Sequence, residues 1–117
     1  MSDKVYDLEE RTFQFAKSIR LLAKKLPKTT ANIEDVKQII RSSGSIGSNY
    51  IEANEALSKK DFLFRVKIAR KEAKESAYWL RLILETNDQE FSNEIKTHFV
   101  EATELKKILS AIISKSS

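Results

Sequence analysis

The sequence predicts an all-α fold, an antiparallel up-down-up-down four-helix bundle, with residues 1–117 forming a single domain. At 117 residues the chain is long enough for one hydrophobic core and too short for two independent ones. Its composition favours helices, because it is rich in helix-forming residues and has only two glycines and one proline. Four segments carry apolar residues at three- and four-residue steps, and helices joined by short connections pack most simply in antiparallel order.

The first predicted helix starts at Asp7, which together with Glu10 forms a pattern like a capping box. Pro27 ends its apolar pattern, because proline lacks an N–H donor and clashes with the preceding turn. The residues expected to face the core are Leu8, Phe15, Ile19, Leu22 and Leu26.

The second predicted helix is capped by Thr30 or Asn32 and is apolar over about half of its circumference. Its main stripe consists of Ile33, Val36, Ile40, Gly47 and Ile51, flanked by Ile39, Ile46, Tyr50 and Leu57. Such a broad apolar sector predicts packing partners on two sides. Gly44 and Gly47 lie in a run of small residues, SSGSIGS, which favours close helix packing over a bend or a phosphate-binding loop.

The third predicted helix begins at Ser58, with Asp61 completing the capping signal, and the fourth begins at Asn87 or Asp88. The expected inward residues of the third helix are Phe62, Val66, Ala69, Ala73, Ala77, Leu80 and Leu84. Those of the fourth helix are Phe91, Ile95, Phe99, Ala102, Leu105, Leu109 and Ile112. Each helix therefore offers one continuous apolar face to the predicted core.

Basic residues are concentrated in the third helix. Residues 58–81 carry eight basic and three acidic side chains, an excess larger than the net charge of +4 of the whole chain. At helical spacing, six residues form a stripe about 120° from the inward face. We call it the basic stripe, and it comprises Lys60, Lys67, Lys71, Lys74, Tyr78 and Arg81. Cations accompanied by an aromatic ring are typical of nucleic-acid-binding surfaces. A solvated lysine-rich face, partly paired with Glu72 and Glu75 of the same helix, is the alternative.

Another side of the third helix carries apolar residues that the predicted core does not use, away from the basic stripe. They are Phe64, Ile68, Trp79 and Leu82. An uncovered cluster of this kind predicts either a neighbouring helix that wraps around to it or a second copy of the chain. We expect self-association, with these four residues at the interface.

The residue types disfavour catalysis. Without cysteine the chain has no disulfide, thiol nucleophile or thiolate metal site. His98 is the only histidine, so the paired Glu-x-x-His motifs of di-iron bundles are missing, and we expect a surface contact with Glu94. The remaining polar cluster is expected to pair with Arg41 or with lysines, and it consists of Asn49, Glu52 and Glu55. We predict no enzyme activity, no metal, no cofactor and no small-molecule substrate.

The composition also predicts a location. The absence of cysteine suits a reducing cytoplasm. The opening residues MSDKVYDLEERTF lack the pattern of a signal peptide, and no stretch approaches the roughly 20 apolar residues of a membrane span. We therefore expect a soluble, cytoplasmic protein that does not contact membranes.

Three segments carry a resemblance to a known family. They are QIIRSSGSIGSNYIEA at residues 38–53, SKKDF at 58–62 and IARKEAKESAYWLRLI at 68–83. They resemble the bacterial four-helix-bundle proteins encoded within intervening sequences of 23S ribosomal RNA genes, and the likeness extends over nearly the whole chain. The resemblance implies a homo-oligomer, a pentameric ring, without catalytic residues. A more remote similarity is to the accessory variability proteins of diversity-generating retroelements, which implies a basic ring that engages nucleic acid.

Two hypotheses of different classes follow. The first is a non-enzymatic homo-oligomer that binds RNA or DNA through the basic stripe. The alternative is a protein-interaction or accessory scaffold module whose working surface is apolar and whose lysines only confer solubility. An enzyme with a carboxylate-bound metal is disfavoured.

Overall fold

The computed structural model describes the backbone of residues 2–117 and the side chains from residue 7 onwards. Within this part of the chain there are four long helices and no strand. The helices are α1 (Ser2–Lys25), α2 (Thr30–Asn54), α3 (Lys59–Glu85) and α4 (Ser92–Ser116), with a short 3₁₀ turn at Gln89–Phe91. The predicted four-helix bundle is confirmed. None of the helices in residues 2–117 has both the length and the apolar character needed to cross a bilayer.

Side-chain contacts show the antiparallel order of the helices. Arg11 contacts Glu101 and Lys25 contacts Glu94. Because the later residue of α1 pairs with the earlier residue of α4, these two helices are antiparallel. The most extensive packing is between α2 and α3 and between α3 and α4, whereas α1 makes less extensive contact with α2 and the least with α4. The molecule measures 45 × 22 × 20 Å, as expected for helices of about 37 Å lying side by side.

The starts of the first two helices differ from the predictions. Helix α1 begins at Ser2, so Asp7 lies inside it and does not cap it. Helix α2 is capped by Thr29, whose Oγ1 accepts a hydrogen bond from the Asn32 backbone N–H at 3.1 Å. The error at α2 is one residue, because adjacent threonines carry the same hydroxyl group and only the backbone conformation selects between them.

The start of the third helix agrees with the prediction, whereas that of the fourth does not. Ser58 caps α3 as predicted, and its Oγ accepts from the Asp61 N–H at 3.1 Å. Asp88 precedes the 3₁₀ turn but makes no side-chain capping bond, and α4 itself begins later, at Ser92. The intervening turn was not predicted from the sequence.

One apolar cluster runs along the bundle and includes most of the residues predicted to face inward. All five residues predicted to face inward from the first helix are buried, although Leu26 lies one residue beyond the end of α1. On α2 the two predicted stripes are exchanged: Ile39 and Ile46 are buried, whereas Ile33 and Ile51 are exposed. Leu57 lies beyond the end of α2 and is 98% exposed. Because the apolar sector of α2 is broad, its periodicity alone does not determine which half faces the bundle axis.

Smaller differences occur on the last two helices, where the buried position differs by one residue from the predicted one. Ile83 is buried in α3 and Ile113 in α4, while the predicted Leu84 and Ile112 are only partly buried. The fully buried Ser76 of α3 was not predicted.

Two polar contacts inside the bundle fix the register of α2 against α3. Ser42 Oγ lies 2.8 Å from Ser76 Oγ, with both side chains fully buried. At the start of α2 and just beyond the end of α3, Asn32 and Asn87 exchange hydrogen bonds of 2.8 and 2.9 Å between their side-chain amides. Because a buried polar group without a partner is costly, these pairs disfavour a shifted packing of the two helices.

Candidate nucleic-acid interface

Helix α3 presents the basic stripe because its opposite face is held in the core. Val66, Ala69 and Ala73 on that face have no exposed surface. The residues on the other side therefore point into solvent. All six members of the predicted stripe are exposed, namely Lys60, Lys67, Lys71, Lys74, Tyr78 and Arg81.

The acidic residues in the middle of α3 are bound by α2 and not by the lysines. The guanidinium of Arg41 on α2 contacts Glu72 at 3.2 Å and Glu75 at 2.6 Å. Pairing of the stripe lysines with these two carboxylates is therefore not observed. The expected pairing of Arg41 with Glu52 or Glu55 is wrong for the same reason: Arg41 is already engaged across the α2–α3 contact.

Four stripe lysines have no carboxylate within 4.0 Å among the side chains from residue 7 onwards. They are Lys60, Lys67, Lys71 and Lys74. Arg81 contacts Glu85 at 3.2 Å, but both side chains are well exposed. Exposed pairs four residues apart on a helix contribute only about 0.3–0.5 kcal/mol, so this pair leaves Arg81 available to another anion.

Two aromatic rings share the outward face of α3 with the lysines. Phe64, Lys71 and Tyr78 follow at seven-residue steps, which drift by only about 20° per step on a helix. Phe64 is 60% exposed and Tyr78 is 58% exposed. The expectation that Phe64 lies away from the basic stripe is therefore wrong. Tyr78 contacts Trp79 edge-on at 5.1 Å between ring centroids, and the Arg65 guanidinium lies 5.9 Å from the Phe64 centroid.

The other three residues of the predicted interface are partly buried in the protomer. Ile68 and Leu82 are intermediate in exposure. Trp79 packs against the core cluster, and its indole Nε1 is buried without a hydrogen-bond partner in the described part of the chain. The neighbouring helices thus cover more of the surface of α3 than its helical spacing predicts. Of the four predicted interface residues only Phe64 is exposed, so the apolar surface on this side of α3 is smaller than predicted.

The side chain of His98 is only 13% exposed, although we expected it at the surface. Its Nε2 lies 3.7 Å from Glu94 Oε2, so the expected proximity is confirmed, but this atom makes no hydrogen bond within the described residues. Burial lowers the pKa of His98, while Glu94 opposes the shift. Glu94 is itself bound by Lys25 at 3.0 Å. From residue 7 onwards no three His, Asp or Glu side chains converge as metal ligands would.

The run of small residues in α2 allows α1 to approach closely. A Cβ atom placed on Gly47 would lie 2.9 Å from Oγ1 of Thr12, and one on Gly44 would lie 3.3 Å from Nη2 of Arg20. Real Cβ atoms do not make the first of these contacts without a shift of the neighbour. The predicted close helix packing at SSGSIGS is therefore confirmed.

Comparison with known proteins places the chain in a family. The family model described as 23S rRNA-intervening sequence protein matches residues 4–111. The chain belongs to this family. A crystal structure of a protein with unknown function from the S23 ribosomal protein family of Bacteroides thetaiotaomicron VPI-5482 is similar to it, with 35% identity and a TM-score of 0.82 over 95% of this chain and 98% of that one. Among curated proteins none matches significantly.

This family member has a second row of cations that the sequence analysis missed. Lys17, Arg20 and Lys24 on α1 are exposed and follow at steps of three and four residues. They border a groove between α1 and α2. The helical spacing was the available signal, but it is obscured in the sequence because basic and acidic side chains nearly balance over residues 1–57.

Proposed function

We propose that this protein is a non-enzymatic bacterial homo-oligomer that works in the cytoplasm and binds RNA, or another nucleic acid, through the basic stripe of α3. The observation that carries the proposal is the row of exposed lysines on α3, together with the engagement of Glu72 and Glu75, the acidic residues in the middle of that helix, by Arg41. Membership of a family named for 23S rRNA intervening sequences agrees with an RNA ligand. The proposal requires no cofactor and no small-molecule substrate.

The spacing of the stripe suits an extended polyanion. Lys60, Lys67, Lys74 and Arg81 repeat at seven-residue steps, which places successive cations about 10 Å apart along the helix. Over the whole row the cations span about 32 Å. A strand lying along α3 would meet a regularly repeated positive charge, and each contact would release counterions from the strand.

The exposed tyrosine within the basic stripe supports a strand with accessible bases. Tyr78 lies among the cations with more than half of its surface exposed. Stacking of a base on an aromatic side chain contributes about 1–3 kcal/mol and does not depend on sequence. We therefore propose single-stranded RNA, or an unpaired loop, as the preferred ligand.

Self-association would strengthen this binding. A homo-oligomer, proposed here as a pentamer, presents one stripe per protomer, and a long strand that reaches two stripes binds the second as an intramolecular event. The exposed Phe64, on the outward face of α3, supports a contact between copies.

The test measures RNA affinity by fluorescence anisotropy with a labelled 20-nucleotide single strand of mixed sequence and a hairpin of equal length. We expect wild-type binding to fall steeply with salt, with a slope of about −3 in a log–log plot if four phosphates are neutralised. The triple variant Lys67→Glu, Lys71→Glu, Lys74→Glu should lose binding while its circular dichroism remains helical.

A matched control makes the same change of net charge elsewhere. The triple variant Lys28→Glu, Lys96→Glu, Lys115→Glu reverses three exposed lysines outside α3 and should retain most of the affinity. Equal loss in both triple variants, or unchanged affinity in the α3 variant, would contradict the proposal.

A further inference from the structure

A groove with a volume of about 510 Å³ separates α1 from α2 on their outer side. The groove is deepened by Gly44 and Gly47, which contribute no side chains to it. Its lining also includes three exposed apolar residues. Phe13 is 60%, Leu21 47% and Ile51 46% exposed. Single exposed apolar side chains are ordinary, but three around one concave surface are typical of a contact site.

The rim of this groove is positively charged. Lys17, Arg20 and Lys24 line it, and none has a carboxylate within 4.0 Å among the side chains from residue 7 onwards. Within the described residues, the Arg20 side chain donates one hydrogen bond, to the backbone carbonyl of Ala16 at 3.0 Å. The acidic side chain in the lining is Glu9, whose Oε2 accepts a hydrogen bond from Asn54 at 2.8 Å.

We infer that this groove binds an amphipathic acidic helix of a partner protein. Apolar side chains of that helix cover Phe13, Leu21 and Ile51, and its carboxylates pair with the cationic rim. The apolar and cationic part of the groove extends along α1 from Phe13 to Lys24, about 16 Å, which corresponds to three turns of the bound helix. Arg20 is central to the rim, and a guanidinium with free donors forms the strongest, bidentate pairs with carboxylates.

The chemistry of the groove favours such a helix over a nucleic acid. Phosphates could pair with the rim, but a charged backbone would lie against the apolar lining and leave it uncovered. An acidic amphipathic helix satisfies both parts of the surface at once. The inference goes beyond RNA binding and uses different helices, since the basic stripe lies on α3.

The experiment selects peptides from a display library built on a helical scaffold with randomised surface positions, using the immobilised full-length protein. We expect enriched peptides to carry apolar residues three and four positions apart, with Asp or Glu beside them. Their affinity, measured by fluorescence anisotropy, should fall by roughly tenfold or more in the triple variant Lys17→Glu, Arg20→Glu, Lys24→Glu.

Two further variants separate the groove from a general charge effect. Phe13→Ser with Leu21→Ser should also weaken binding, because it removes apolar cover without changing charge. The α3 variant Lys67→Glu, Lys71→Glu, Lys74→Glu should bind the peptides as the wild type does, even though it loses RNA. Circular dichroism verifies that each variant is folded.

Several results would overturn the inference. They are a failure to enrich any peptide, enriched peptides without acidic residues, and equal binding to the groove variant and the wild type. Loss of RNA affinity in the groove variant would assign the rim to nucleic acid. Dissociation of a wild-type oligomer by the same variant would assign the groove to contacts between copies.

Discussion

At the scale of single residues, Gly47 and Gly44 show how similar positions can have different roles. Both lie in the middle of α2, where glycine costs about 1 kcal/mol relative to alanine. A Cβ atom on Gly47 would meet Oγ1 and Cβ of Thr12. The Thr12 side chain is short and buried, and its hydroxyl donates to backbone carbonyls of α1, so it cannot move away. The neighbour of Gly44 is the flexible end of the exposed Arg20. Only Gly47 is therefore required by packing.

The substitution Gly47→Ala should destabilise the protein by about 1–2 kcal/mol, because the strain of overpacking exceeds the gain in helix propensity. Gly44→Ala should instead be neutral or stabilise by up to about 1 kcal/mol, since Arg20 can move away. Urea denaturation followed by circular dichroism measures both. If Gly47→Ala proved as stable as Gly44→Ala, the close approach of Thr12 would be contradicted.

At the scale of elements, α3 is the helix whose faces differ most. One face fills the core, one is bound by Arg41 of α2, and the outward face carries lysines and aromatic rings. The contact with Arg41 has two effects. It joins α2 to α3, and it occupies the carboxylates of Glu72 and Glu75 that would otherwise be free to neutralise the basic stripe.

Removal of Arg41 should leave Glu72 without a partner in a nearly buried site. The Glu72 side chain is 9% exposed, whereas that of Glu75 is 41% exposed. Arg41→Met should therefore lower the free energy of unfolding by about 1–3 kcal/mol, reduced from the cost of a fully buried pair because Arg41 is itself half exposed.

Two control variants test this assignment. Glu75→Gln should cost less than about 1 kcal/mol, as for an exposed pair. The double variant Arg41→Met with Glu72→Met should regain most of the lost stability, because it leaves no unpaired charge. If the double variant is as unstable as Arg41→Met alone, the contribution is not electrostatic.

At the scale of the whole molecule, the bundle exposes apolar side chains on more than one side. Phe64 lies on α3, whereas Phe13, Leu21 and Ile51 lie around the α1–α2 groove. These surfaces do not overlap, so the proposed contact between copies would leave the groove open to the proposed partner helix. The absence of side chains at Gly44 and Gly47 leaves room for the groove.

The proposed self-association through α3 predicts a mass in solution several times 13.4 kDa. Phe64→Asp should shift the protein towards monomer, because it places a charge in the apolar contact. Val100→Asp, at a side chain of similar exposure on α4, should not. Native mass spectrometry of material purified without nuclease reports the stoichiometry and any retained RNA. A wild-type protein that stays monomeric at all concentrations would exclude this interface.

Much of the bundle could be predicted because its signals are local. Periodicity identifies four helices and the five buried apolar residues of the first predicted helix, and the hydroxyl of Ser58 followed by Asp61 identifies the start of α3. Exposure of the six stripe residues also follows from helical spacing. Family membership was visible in three short segments and is confirmed over residues 4–111.

The remaining features depend on which helix lies beside which. The broad apolar sector of α2 is compatible with two rotations about its axis, and only contact with α3 selects the one that buries Ile39 and Ile46. The partner of Arg41 and the burial of Trp79 are decided in the same way. Sequence periodicity defines directions around a single helix, whereas pairing, burial and grooves arise from distances between helices, which are long-range in the chain and are determined only when the bundle packs.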